Sequence, residues 1–523
     1  MQLIKIIDGF QPKNDERLLR RAEELTPALL RDEVSPVSAL FFPSPDSEAH
    51  QSLSPAALSE LPLSRGQRVV LDFGTHLVGY LSLSLGSAGS HPDAPAYLSL
   101  RFAEVWDELW ENPEEYTGWL ARGWIQRSSI HVDMLPEEVS LPRRCAFRYL
   151  MLTVEDTSPK YRLVVRDVRC SRVGAVRLSD APPLKGGDEV AKRLDEVSLR
   201  TLANCMQQVF EDGPKRDQRL WMGDLRLQAL SNYVSFRCDN LVKRCLYLFA
   251  GSRFPDGRVS ACVFTRPEPA ADDTWLFDYS LFFVHALEEY LQQTDDREAL
   301  DDLYATAMEQ LDYALALCGE DGILTSPAAN SAFIDWADGL NRLACAEGVL
   351  IDALGAGECL ARRRGDGSRE ALLHRERCRL TAAARERFWD AGGRCFCVDG
   401  QRAIATQVWM VLSRVATPEE AVEIMSRPLE AWDNVPMVTP YMHHYYVMAL
   451  LQAGLRDAAL AHMNAYWGSM LDAGADTFWE AWNPDDPKGS PYGSVMVNSY
   501  CHAWSCTPAY LLRTFFVKQS RTP

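Results

Sequence analysis

The feature that most constrains this chain is a change of period near residue 180. Before it, apolar residues alternate or run in short blocks between turn residues. Examples are GQRVVLDFGTHLVGYLSLSLG (66–86), YLSLRFAEVW (97–106), FRYLMLTVED (147–156) and YRLVVRDVRC (161–170). Short β-branched and aromatic runs bounded by Gly, Ser, Pro and Asp are strand signals, and together they predict an antiparallel β-sandwich-like domain over 1–181. PPLKGGD (182–188) is Pro/Gly punctuation. Beyond it apolar residues recur at three and four: Trp275, Tyr279, Phe282, Ala286 and Tyr290 share one helix face. Twelve such segments follow, at 188–210, 222–236, 239–252, 272–294, 296–318, 337–364, 367–390, 402–415, 418–430, 441–454, 456–472 and 500–516. Twelve helices joined by loops of uneven length predict an (α/α)6 barrel over 182–523. A helical solenoid would need a fixed repeat, which this sequence lacks. The long aromatic loops suit a barrel that builds a pocket at one mouth.

Charge and composition exclude several functions. The 523 residues carry 54 Lys+Arg against 72 Asp+Glu, a formal charge of −18. Nucleic-acid binding needs a basic face, so the expected ligand is neutral or cationic. No run of about 18 apolar residues is free of charge, so no membrane span is expected. The start, MQLIKIIDGF, has no signal-peptide h-region. Twelve of the fourteen cysteines lie after residue 200, scattered singly. They read as reduced thiols rather than a disulfide scaffold or zinc site. A cytoplasmic protein follows from these readings, with a homodimer as the default assembly. Motifs for nucleotide or serine-hydrolase chemistry are missing, and neither a cofactor nor a metal is expected. The aromatic, mixed-charge insertion at 106–124 has no assigned place.

Two clusters carry candidate chemistry. FEDGPKRDQRLWMGDLR (210–226) holds Glu211, Asp212, Asp217 and Asp224, with Arg216, Arg219 and Trp221 among them. Carboxylates separated by arginines can be held in different protonation states, the basis of acid–base pairs. The plainer reading is acidic residues favoured by a helix N-terminus. In DTFWEAWNPDDPKGSPYGS (476–494), Glu480 lies between Trp479 and Trp482. Indole faces stack on sugar rings, and a carboxylate beside them can activate water; loop punctuation after Glu480 places it at an element end. Trp275 beside Asp273, Trp336 beside Asp335 and Trp504 beside His502 extend the pattern. Such pairs in separate loops predict one pocket assembled from several hairpins. His443 and His444 are adjacent; neighbouring helix residues diverge by about 100° and do not share a metal.

The same residues resemble a known family. DGPKRDQRLWMGD is similar to the D-C-P-x-R-[DE]…W-x-G-D signature of the family 78 glycoside hydrolases, the α-L-rhamnosidases, and TFWEAW to their T-x-W-E-x-W segment. DFGTHLVGY (72–80), RFAEVW (101–106), FRYLML (147–152), FIDWADG (333–339) and HAWS (502–505) match in order. The resemblance implies an inverting (α/α)6-barrel hydrolase acting on small rhamnosides. It implies Asp217 as general acid and Glu480 as general base. Asp212, Arg216, Trp221, Asp224, Trp275, Asp335, Trp336 and His502 fall where the family contacts the sugar, and Trp482 is a further stacking candidate. Gly213 replaces the family's Cys, and the motif is a residue shorter than in many members, which leaves the acid to be chosen between Asp217 and a neighbouring carboxylate. Two rivals remain at this level: a uronate lyase or epimerase using His443 or His444 with a tyrosine, and a silent sugar-binding protein.

Overall fold

The computed structural model describes residues 9–44 and 49–517. The N-terminal strands form a ten-stranded antiparallel sheet. Its spine is Arg68–Gly89. The first half of this strand pairs with Cys145–Asp156 and Ser38–Phe42, the second with Tyr161–Gly174 and Glu137–Ser140. Leu71, Leu83, Leu98, Phe147, Leu150 and Leu163 fill one core between the halves, the layered packing that the alternation requires.

The helical part starts at Glu189, where Asp188 accepts a hydrogen bond from the Ala191 amide and caps the first helix. Helices Met222–Tyr233, Phe277–Thr294, Leu343–Arg364, Ile404–Leu412 and Pro440–Gln452 touch one another in that order. Thr507–Leu511, with the turn Ala503–Ser505 before it, closes the ring onto Met222–Tyr233. These inner helices are buried almost all round; every residue from Phe277 to Glu288 is buried. Glu189–Cys205, Asp239–Gly251, Arg297–Ala316, Gly367–Phe388, Pro418–Met425 and Arg456–Asp472 alternate with them in sequence and form the outer layer. All twelve expected helices are present, as six hairpins.

Three inner helices begin later than their periodicity predicts, at Phe277, Leu343 and Thr507 rather than 272, 337 and 500. The leading residues form loops instead, and these loops build the mouth of the barrel. Left-handed backbone at Ile334 and Gly339 breaks the second of them. No helix among the described residues is long and apolar enough to cross a membrane, and all fourteen cysteines are unpaired.

The N-terminal segment departs from expectation. Asp15 caps a helix, Glu16–Glu24, that buries Leu18 and Ala22 and packs on Asp239–Gly251. Lys13–Asn14 pairs with Ser252–Arg253. Residues 13–24 therefore join the helical body rather than the β-sheet.

A buried polar network fastens the β-sheet to the barrel loops. Glu104 accepts from the Tyr500 amide at 2.7 Å and contacts His76 Nε2 at 2.9 Å. His76 also meets the Asn204 amide group at 2.9 Å, and Lys215 pairs with Glu108. Burial pushes the Glu108 carboxyl up to about 7, against the pull of Lys215. Breaking a buried pair leaves an uncompensated charge at a cost of about 3–5 kcal/mol. Lys215→Met should therefore lower the melting temperature sharply; an unchanged melting temperature would show that the network does not fasten the two parts.

Candidate active site

The loops that lead into the inner helices converge on a cavity of about 350 Å³. The first of them carries the 210–226 cluster. Its course is tightly determined: the Asp212 amide donates to Arg219 O at 3.0 Å and the Arg219 amide to Asp212 Oδ1 at 3.1 Å. A Cβ on Gly213 would stand 2.5 Å from Ser499 Oγ, so the loop passes Ser499 only without a side chain. Asp217 and Gln218 are both left-handed, with φ of 67° and 54°. Such backbone on non-glycine residues recurs where a side chain must be aimed.

Glu480 is delivered from the far end of the chain by a ladder of backbone bonds. Its amide donates to Ser499 O at 3.0 Å and the His502 amide to Phe478 O at 2.9 Å. The Ala503 amide donates to Asp212 O at 2.8 Å, and Trp504 Nε1 to Glu480 O at 2.9 Å. The two clusters, more than 250 residues apart in sequence, are thereby laced together.

Arg216 stands between them. Its Nη2 donates to Glu480 Oε2, its Nη1 lies 3.5 Å from Asp217 Oδ2, and its Nε donates to Val497 O at 3.1 Å. The guanidinium lies 4.3 Å from the centre of the Tyr492 ring, and the Tyr492 hydroxyl donates to Glu480 Oε1. Burial raises the Glu480 carboxyl, but the charges of Arg216 and His502 and the hydrogen bonds from Arg216 and Tyr492 outweigh it and hold Glu480 below its ordinary value. Asp212 goes the other way. Burial, then the nearby Asp217 and Asp224, push its carboxyl well above the usual range. Burial also raises Asp224, against its contact with His502 at 3.0 Å. The cavity thus holds carboxyls in opposed states. Asp217 is the less enclosed, with 18% of its side chain exposed against 6% for Glu480.

Trp221 Nε1, Trp336 Nε1 and His502 Nδ1 are buried without a hydrogen-bond partner, and Asp224 Oδ1 meets only His502 Nε2, 3.0 Å away. Leaving buried polar atoms unpaired is costly. All four residues line the cavity.

Two comparisons give the same answer. A model described as the bacterial α-L-rhamnosidase six-hairpin glycosidase domain matches residues 183–515, and one described as the family 78 α-rhamnosidase N-terminal domain matches 46–172. This chain belongs to glycosyl hydrolase family 78. Among solved structures, this family 78 glycosidase is similar to a rhamnosidase from Klebsiella oxytoca with rhamnose bound, at 44% identity and a TM-score of 0.92, over 96% of this chain and 99% of that one. A family 78 rhamnosidase of Bacillus sp. GL1 shares the fold at 22% identity and a TM-score of 0.73, over 89% of this chain and 49% of that one. The α-L-rhamnosidase of Streptomyces avermitilis does so at 17% identity and 0.66, over 93% and 44%. This chain spans about half the length of the latter two. No curated protein matches it.

Of the expected residues, Asp212, Arg216, Asp217, Trp221, Asp224, Trp336, Glu480 and His502 line the cavity of the family 78 enzyme. Trp275, Asp335 and Trp482 do not. Trp275 packs on Tyr313 and Phe277 and donates to Ser280 Oγ. Trp482 stacks edge-on against Trp479 and donates to Ser469 Oγ at 2.8 Å, both facing a neighbouring cavity. Asp335 is turned into the protein, where its carboxylate accepts from the Val438 and Thr439 amides and from Thr439 Oγ1. Neither adjacent histidine reaches the cavity. His443 bonds His462 and stacks on Tyr466, and burial holds His444 down to about 3, hence neutral; the lyase or epimerase rival loses its base.

Sequence reasoning missed Tyr492, Tyr279, Phe333, Phe264 and Asp272, and above all the 106–124 insertion. Trp119, Leu120 and Trp124 from the β-domain form one wall of the cavity. Tyr116 packs with Tyr492 and Val497 beneath them. The density of aromatics in 106–124 was the available signal. Asp335→Asn should cost about 1–3 kcal/mol through its lost loop bonds, read as a lower melting temperature, while ligand affinity in the folded variant stays near wild type; a specific loss of affinity at unchanged stability would return Asp335 to the ligand.

Proposed function

We propose that this enzyme removes terminal non-reducing α-L-rhamnose from small rhamnosides with inversion at C1. Asp217 protonates the departing oxygen and Glu480 activates the water. The observation that carries this reading is Arg216, one buried guanidinium touching both carboxylates and fixing them apart within a single cavity. An inverting hydrolase needs its acid and base about 6.5–9.5 Å apart, with space for water on the side of the ring away from the leaving group. Arg216 and Tyr492 keep Glu480 ionised, as a base must be. Asp217 sits at the more open edge of the cavity, where the leaving group departs. The 44%-identical relative with rhamnose bound supports the choice of sugar.

In this reading Trp221, Trp336, Asp224 and His502 meet the sugar hydroxyls with their unmatched polar atoms. Leu276, Phe333 and Trp504 offer apolar surface to the ring face and to the methyl at C6. Asp212, raised by burial and by Asp217 and Asp224, is the carboxyl best placed to donate to a hydroxyl.

Glu480→Gln should lose about 10²–10⁴-fold in turnover on any α-L-rhamnoside, the usual scale for a general base. Asp217→Asn should lose as much on an alkyl rhamnoside and far less on a nitrophenyl one, whose leaving group needs no proton. Equal losses on both would remove Asp217 as acid. Proton NMR of the first product should show β-L-rhamnose; the α-anomer would exclude inversion. The acid limb of kcat/KM should lie below the ordinary Glu value of about 4.3. Tyr492→Phe removes a bond that favours ionised Glu480 and should move that limb upward in pH. A limb that stays put would separate Tyr492 from the base.

A further inference from the structure

Asp217 lines a second hollow as well as the first. A groove of about 460 Å³ continues from the active-site cavity past Trp124, Asp217, Arg219 and Phe264, which border both. Its wall adds Arg143, Arg144 and Arg266 to Arg219. Arg144 is neutralised by Glu211, 2.7 Å away. Arg143 and Arg266 are not neutralised in this way: neither has a carboxylate oxygen within 4.0 Å among the described residues, whereas Arg219 sits in the field of Asp217, Asp212 and Asp272. Arg143 donates only to Gly123 O at 3.3 Å, Arg266 to Gln208 Oε1 at 2.9 Å, and Arg219 lies 4.5 Å over the Phe264 ring. Most arginines of this chain, whose net charge is −18, sit against a carboxylate. Arg143 and Arg266, both exposed and without such a partner, stand on the rim of this groove and give it a positive edge beside the active site.

The groove lies on the acid's side. Trp479 and Trp482, which flank Glu480, face a different hollow with Tyr466 and His443. Since the departing group leaves beside the acid and water arrives beside the base, the basic groove is where the leaving group must lie. Guanidinium groups bind carboxylates and similar anions through paired, charge-assisted N–H bonds.

We propose that this groove receives an anionic leaving group, so that the preferred substrates are α-L-rhamnosides whose aglycone carries a carboxylate. The inference rests on Asp217 being the proton donor of a rhamnosidase. Its test is a matched pair of substrates, the α-L-rhamnosides of 3-hydroxybenzoate and of its methyl ester. The ester has the more acidic phenol and is the better leaving group on chemical grounds, so a preference for the free acid must come from the enzyme. Wild type should show kcat/KM roughly ten-fold higher for the carboxylate, about one charge-assisted contact, mostly through KM. The advantage should shrink as ionic strength rises from about 0.01 to about 1 M, because salt screens exposed charges. Arg143→Gln/Arg266→Gln alters two exposed side chains outside the active-site cavity. It should erase the preference while ester hydrolysis stays within about two-fold. Equal rates on both substrates would keep the rhamnosidase assignment and overturn the anionic groove. So would a preference that survives the double substitution. Hydrolysis of neither substrate would overturn the rhamnosidase assignment itself and this inference with it.

Discussion

The buried guanidinium of Arg216 is the constraint on which the site depends. A charge in the interior must be matched on every side. Glu480, Asp217, Tyr492 and Val497 O supply that match from two loops that meet only when the barrel closes. Arg216 holds both carboxylates to itself, with the guanidinium between them. The preceding residue repeats the device for another purpose. Lys215 turns away from the cavity and pairs with Glu108, so that consecutive cations tie this loop to the carboxylates of the cavity and to the β-domain. The accuracy of the site is thus inherited from the interface between the two parts.

Much of this was readable in the sequence, and the failures have physical causes. The helical periodicity announced the barrel because inner helices must be apolar on nearly every side. The two acidic clusters stood out because tryptophan among charges is costly without a reason. Which way each tryptophan faces was not readable. Trp336 and Trp275 both lie beside aspartates, yet one opens onto the cavity and the other packs on Tyr313. That choice belongs to loop geometry set by contacts hundreds of residues away. The 106–124 wall was hidden for the same reason, since Trp119 finds its partner at Pro491. The helix Glu16–Glu24 had local signals, a capping Asp and apolar residues at 18, 19 and 22. Its surroundings, all strand-like, argued against it.

Net charge proved a poor guide to the immediate surroundings of the site. The acidity of the chain excludes polyanion partners at long range, but fields near a cavity are set by the few groups that lack counter-ions. Here those groups are the exposed Arg143 and Arg266 on the rim and, within, carboxyls that burial raises. A protein can be acidic overall and still present a cationic rim a few ångströms from its chemistry, because screening and pairing erase the rest.

The short N-terminal helix imposes an order on biosynthesis. Its binding surface, Asp239–Gly251, leaves the ribosome only after the whole β-domain that separates the two in sequence. At about 5–20 residues per second, this apolar-faced helix waits on the order of ten to forty seconds for its seat. During that interval the β-sheet can fold, and the helix then docks as a latch on a barrel that did not exist when it was made.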